Sequence, residues 1–358
     1  MSLMTTRLEK LRSKFDRLNI DAFLVTSIPH VRYVTNFSGS SAVAVVTKRS
    51  AYVITDGRYT TQIHKEARGW KIFITTDTLF NEMHRRKLLR PGARVGFDGN
   101  SLAFASYRTL QKKFQGVRFL PKADVLETIA VVKDEGEIKK IKHSVAITDR
   151  VFKEILDILR PGIREIDVAA EISYRQRKHG AEADAFETIV ASGARGALPH
   201  GRASAKKIKR GELVTLDFGC IADGYHSDLT RTVAVGKPSA EARKVYQTVL
   251  DAQRRAIDAA RSGIIAKDLD AVARSYITEK GYGRYFTHSL GHGLGLQIHE
   301  SPKISSQNAT RIERGFVVTI EPGIYIPRSL GVRIEDDVVI RDEGCDVLNH
   351  APKELLIL

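Results

Sequence analysis

Apolar residues recur at helical spacing in TRLEKLRSKFDRLN (6–19), where Leu8, Leu11, Phe15 and Leu18 share one face. Five short, β-branched runs follow, AFLVTS, AVAVVT, AYVITD, KIFITT and RVGFDG, with helical stretches between some of them. That alternation predicts an α/β domain around a mixed sheet over residues 1–125. FLPKAD (119–124) reads as its exit linker. The character changes at DEGEIKKIKHSVAITDRVFKEILDILRPG (134–162). Asp134 and Glu137 have capping-box spacing, Ile138, Ile141, Val145, Thr148, Phe152, Ile155 and Leu159 step by three and four, and Pro161-Gly162 stops the helix. Further helices are predicted near 165–179, 239–261 and 267–280, within a second domain spanning 126–358.

This second domain contains an internal repeat. RPGIREIDVAAEISYRQRKHG (160–180) aligns without gaps on RSGIIAKDLDAVARSYITEKG (261–281), and RGELVTLDFG (210–219) aligns on RGFVVTIEPG (314–323). The second alignment sets Asp217 opposite Glu321, an acidic residue kept inside a strand, so duplication explains the match better than chance. Each half then consists of a helix pair followed by a strand hairpin.

The hairpins place their acids by parity. Asp223-Gly224 is a strong two-residue turn signal. Counting outward sets Ala222 against Tyr225, Gly219 against Asp228 and Asp217 against Thr230. Asp217 and Asp228 therefore share a sheet face as diagonal neighbours, about 7–8 Å apart, while Cys220 points the other way. In IEPGIYIPRSLGVRIEDDVVI (320–340), counting about Arg328 sets Glu321 across from Glu335. Four carboxylates facing one cavity need a counter-charge, and a pair of divalent metals supplies it economically. THSLGHGLGLQIHE (287–300) adds His288, His292 and His299 among glycines, and a mixed carboxylate–imidazole set suits Mn, Co, Zn or Fe.

The 358 residues are 42% hydrophobic and 28% charged, the make-up of a soluble globular protein of two domains. No stretch approaches the roughly 20 apolar residues of a membrane span. The N-terminal MSLMTTRLEKLRSKF lacks the apolar core of a secretory signal, and two cysteines, Cys220 and Cys345, cannot form a disulfide framework. A cytoplasmic location is expected. The net charge of +15 raises the question of a nucleic-acid partner. However, KKIKR (206–210) has no interleaved aromatics for base stacking, so a basic surface is the simpler reading. A non-catalytic binding module remains the rival from another class. No P-loop or dinucleotide glycine fingerprint is present.

LDFG with SDLTRT, HGLGLQIHE, IEPGIY and GVRIED, in that order and with ASGARGALPHG upstream, resemble the pita-bread metallopeptidases of the Xaa-Pro branch, aminopeptidase P and prolidase. The resemblance covers essentially the whole chain. It implies an α+β protein with a creatinase-like α/β N-terminal domain and a pita-bread catalytic domain with a pseudo-twofold internal repeat. It implies that Asp217 binds one metal, His292 and Glu321 the other, and that Asp228 and Glu335 bridge both. It further implies that His200 holds substrate near the scissile amide, that His299 donates toward the developing oxyanion, and that His288 lines the proline-side pocket. Arg333 and Tyr325 would belong to the substrate pocket, and Glu321 would also shuttle a proton. The expected activity is release of an N-terminal residue from peptides with proline second, as in aminopeptidase P. Prolidase, which cleaves Xaa-Pro dipeptides, is the alternative, since both share every motif quoted. Two divalent metals, manganese first and cobalt or zinc as alternatives, and a homodimer complete the implied picture.

Overall fold

The computed structural model describes residues 3–358, with side chains from Arg7 onward. The first two residues of the stretch read for a secretory signal lie outside that range. The chain divides into two compact units, one ending at Ala130 and one running from Val131 to Leu358. Among the described residues, no helix is long and apolar enough to cross a membrane.

In the first unit the five β-branched runs become strands of a six-stranded mixed sheet. Its spatial order is Lys71–Thr75, Ala51–Asp56, Ala42–Thr47, Ala22–Val25, Arg94–Asp98 and Arg118–Lys122. The Ala42–Thr47 strand is antiparallel to both neighbours, and the other pairings are parallel. Leu24, Val45, Ile54, Val95 and Leu110 form the core. The N-terminal helix is interrupted, Leu3–Ser13 and then Phe15–Leu18, with Leu11 and Phe15 buried. FLPKAD is not a linker. Its first four residues belong to the edge strand, with Pro121 opposite Phe97. An edge position tolerates proline because the missing N–H faces no further strand.

The second unit repeats one plan. Helix Glu135–Leu156 starts on the Asp134/Glu137 capping box and packs with helix Glu165–Lys178. After the first hairpin come helices Ala240–Ala259 and Ala266–Glu279, then the second hairpin. The duplication extends to individual hydrogen bonds. Gly162 N–H donates to Ile208 O and Ile208 N–H to Ile163 O, and Gly263 and Ile312 with Ile264 repeat both bonds in the second half. The isolated bridges Arg164–Lys207 and Ile265–Arg311 also correspond. Each half has its own core. Val151, Phe152, Ile172, Val214, Leu216 and Phe218 belong to the first, and Val245, Val249, Leu269, Val318 and Ile340 to the second.

Candidate functional site

The first hairpin pairs strand Glu212–Phe218 with Leu229–Val235, setting Asp217 against Thr230 and Phe218 against Leu229. At its tip Ala222 faces Tyr225, and Asp223 and Gly224 both have positive φ, 52° and 76°. That is the twist a two-residue primed turn requires. Alternation sends Val214, Leu216 and Phe218 into the first core, leaving Thr215 and Asp217 on the opposite face. At Gly219 the two arms converge so closely that a Cβ would lie 1.9 Å from Ser227 O. Asp228 leaves the ladder there, and its N–H is bound by Asp337 Oδ2 at 2.9 Å.

The second hairpin keeps one register throughout. Ile320 pairs with Asp336, and beyond Pro322 the pairing resumes from Gly323–Arg333 to Ile326–Leu330. Glu321 and Glu335 occupy the break between the two ladders. Glu321 N–H donates to Leu290 O at 2.8 Å and Glu335 N–H to Thr230 O at 3.1 Å. The second of these bonds joins the hairpins. Thr230 Oγ1 also donates to Glu335 Oε2 at 2.6 Å, and Arg231 binds Glu335 O and Asp336 from a fully buried position. The upstream loop ASGARGALPHG lies against this hairpin, since a Cβ on Gly331 would lie 1.8 Å from Gly196 O.

Asp228, His292 and Glu335 each bring a ligand atom within 4.8 Å of the others. Glu321 joins through His292, whose Nε2 stands 3.4 Å from Glu321 Oε1 and 3.7 Å from Asp228 Oδ2. Asp217 is drawn to the Arg333 guanidinium on the same site. His200, Asp217, Asp228, His288, His292, His299, Glu321, Arg333 and Glu335 all line one cavity of about 870 Å³. Tyr325 is not among the lining residues. It is buried behind them, its hydroxyl 2.9 Å from His288 Nε2 and 2.7 Å from Arg333 Nη1.

The electrostatics show what these groups lack. Asp228 Oδ1 and Glu335 Oε1 are buried without a hydrogen-bond partner among the described residues. Burial first, and the neighbouring carboxylates second, push both acids well above the ordinary carboxylate range. Burial likewise raises Glu321 to about 8, against the pull of Arg333. Orphaned oxygens in a crowded acidic pocket are costly unless a cation completes them, so the donor set fits divalent metal. His292 is fixed for such a role, its Nδ1 3.0 Å from Gly293 O and its N–H held by Thr319 Oγ1. Thr319 also donates to Glu321 Oε1. Burial lowers His292, and it lowers His288 to about 4, with Arg333 adding to the effect. His299 lies 4.5 Å from His292, ring to ring, and is lowered by burial and then by His292 and His200.

Several supporting residues escaped the sequence reading. Thr230 and Thr319 orient acids, and Asp337 holds the Asp228 backbone. Buried Lys133 reaches Glu300 at 2.8 Å and so anchors the turn that carries His299. Arg202 and Lys303 bring positive charge to the cavity wall. Parity could have flagged Thr230 and Thr319, which share faces with the acids. Lys133, distant in sequence, gave no signal.

Comparisons with known proteins agree with this geometry. The profile of the creatinase/prolidase N-terminal domain matches residues 7–132, and that of metallopeptidase family M24 matches residues 139–342. The Xaa-Pro dipeptidase of Pyrococcus furiosus is 40% identical across 99% of this chain and 100% of its own length. A solved Xaa-Pro dipeptidase from Bacillus anthracis superposes with a TM-score of 0.95 at 42% identity, covering 99% of this chain and all of that one. The solved X-Pro aminopeptidase of Thermotoga maritima gives 0.91 at 38% identity, over 96% of this chain and all of that one. The architecture is thus a creatinase-like unit followed along the chain by the pita-bread catalytic fold with its internal repeat. The chain belongs to metallopeptidase family M24.

Proposed function

We propose that this chain is a two-metal Xaa-Pro dipeptidase. The sequence reading put aminopeptidase P first. The names of the similar proteins support the dipeptidase better, although the Thermotoga maritima structure carries the other name. The observation that carries the metal part is the pair of buried, unpartnered oxygens on Asp228 and Glu335 beside His292. The dipeptide part draws on Lys303 in the cavity wall, and on Arg202 of the same wall, itself paired with Glu187 at 2.8 Å, cations suited to the free carboxylate that a dipeptide presents next to its scissile bond.

Asp217, Asp228, His292, Glu321 and Glu335 would hold the metals, with Asp228 and Glu335 shared between them. Four carboxylates to one imidazole suit manganese, with cobalt or zinc also compatible. When bound, such ions supply Lewis-acid polarisation and bring the pKa of water near neutrality. The chain's own groups do the rest. Arg333 keeps Asp217 oriented and braces Tyr325, which fixes His288. His288 is neutral near pH 7 and offers the proline ring an imidazole face. His299 donates toward the carbonyl oxygen as it gains negative charge, an interaction strongest in the transition state. His200, on the same cavity wall, holds substrate near the scissile amide, and Glu321 carries a proton to the departing proline nitrogen. A homodimer, which rests on the family resemblance, and a cytoplasmic location, which rests on the N-terminal composition and the two cysteines, belong to the same proposal.

The test is hydrolysis of the Ala–Pro bond, read as products Ala and Pro from Ala-Pro and as Ala and Pro-Ala from Ala-Pro-Ala, with added Mn²⁺ and after chelation. We expect metal-dependent cleavage of the dipeptide and little of the tripeptide. Equal or faster tripeptide cleavage would return the reading to aminopeptidase P. No hydrolysis of either by metal-loaded protein would overturn the peptidase reading.

A further inference from the structure

The first unit holds a second cluster of metal-binding side chains, one the catalytic reading leaves unused. His30 from helix Ile28–Thr35, Asp98 from the end of strand Arg94–Asp98 and Glu127 from helix Glu127–Ala130 converge. One ligand atom from each lies within 4.8 Å of the others, the same spacing limit met by Asp228, His292 and Glu335 in the second unit. The three positions are far apart in sequence, so the fold brings them together.

Two of the three carry a buried atom without a partner among the described residues. His30 is 3% exposed, and its Nδ1 is buried with no hydrogen-bond partner among the described residues. Its Nε2 stands 3.7 Å from Glu127 Oε1. That is too long for a hydrogen bond but close to the separation of two donors on one ion, about 3.4 Å for tetrahedral bonds of roughly 2.1 Å. Glu127 Oε2 is buried and unpartnered as well. Burial raises the Glu127 carboxyl first, and Asp98 and Asp124 add to this against the pull of His30. Asp98 is aimed by its own backbone, with Oδ1 accepting from Asn100 N–H at 2.9 Å. The Glu127 side chain keeps 28% exposure, which leaves an entry path and room for water ligands.

We propose that His30, Asp98 and Glu127 form a divalent transition-metal site in the N-terminal unit, completed by water. One imidazole with two carboxylates favours Zn²⁺ over Mg²⁺ or Ca²⁺, which prefer all-oxygen shells, and the absence of sulfur argues against Cu⁺. The three ligands close loops between positions 30, 98 and 127. An ion that binds the folded arrangement and not the unfolded chain stabilises it by mass action. The site thus serves as a clamp on the unit, independent of hydrolysis.

The experiment uses the full-length chain with Asp228→Ala and Glu335→Ala, stripped of metal, so that binding at the catalytic centre does not mask the count. Titration with Zn²⁺ by calorimetry should give one ion per chain and raise the thermal midpoint. Adding His30→Ala or, separately, Glu127→Gln should weaken that binding at least tenfold and abolish the rise. In the otherwise unaltered chain, Glu127→Gln should leave dipeptide hydrolysis with Mn²⁺ within twofold, showing that the fold is kept. Should His30→Ala fail to fold, the milder Glu127→Gln decides. A purely structural packing of His30 against the two carboxylates predicts no zinc binding, and that result overturns the proposal. So does one zinc per chain that survives Glu127→Gln with unchanged affinity.

Discussion

The two hairpins of the catalytic unit are built alike and balanced differently. The first turns in two residues, places short Asp side chains on its inner face, and has Asp217 met directly by Arg333. The second turns about Arg328, is broken by Pro322, and carries longer Glu side chains. Among the described residues its Glu321 has no such direct guanidinium partner, and burial drives it up to about 8. The cation that steadies the first hairpin is therefore supplied by the second, and neither is electrostatically complete alone. The duplicated scaffold repeats its backbone bonds faithfully but divides the charge balance between its copies.

The largest expected effect comes from removing an acid at the seam. Asp228→Ala or Glu335→Ala should cut kcat/KM by about a thousandfold or more and leave at least one metal ion fewer per chain than the unaltered protein by elemental analysis. Full metal content with retained turnover would mean that the hairpins do not share ions through these residues. The cross-hairpin cation comes next. Arg333→Met leaves buried Asp217 uncompensated and should cost about 3 kcal/mol of stability together with roughly a hundredfold in kcat/KM, as expected for a misplaced site. Arg333→Lys should recover part of each, and equal loss in both variants would point to packing rather than charge.

The imbalance also has a pH signature. In the metal-stripped chain Glu321 titrates at about 8 against an ordinary value of 4.5, and Asp228 and Glu335 shift the same way. The folded state then binds more protons than the unfolded state between those limits. Stability is full below the lower value and falls as pH rises through the upper one. Thermal unfolding should show a lower midpoint at pH 8 than at pH 5, by about 2–4 °C per kcal/mol lost, and Mn²⁺ should restore it at pH 8. The smallest effect concerns the tips. Gly224→Val places a branched side chain at positive φ and should cost about 1–2 kcal/mol. Arg328→Gly, at φ 62° in the looser turn, should change stability by less than about 0.5 kcal/mol. Chemical denaturation of both variants checks the contrast.

Much of this was legible in the chain itself. Period-two alternation, the Asp-Gly turn and the repeat determined the strands, their register and the shared faces of Asp217 with Asp228 and of Glu321 with Glu335. Apart from the repeat, which compares segments about a hundred residues apart, those are local properties, fixed by backbone pleat and turn geometry within a single hairpin. The capping box at Asp134 was readable for the same reason. The exit segment was misread because proline suppresses a strand signal that an edge position tolerates. Tertiary structure alone decided that Thr230 would hold Glu335, that Arg333 would meet Asp217, that Lys133 would brace the turn before His299, and that Tyr325 would stand behind the cavity. It alone joined His30, Asp98 and Glu127. Such contacts connect positions from tens to more than a hundred residues apart, and a pattern confined to neighbouring residues carries no information about which distant side chain will arrive to neutralise a buried charge.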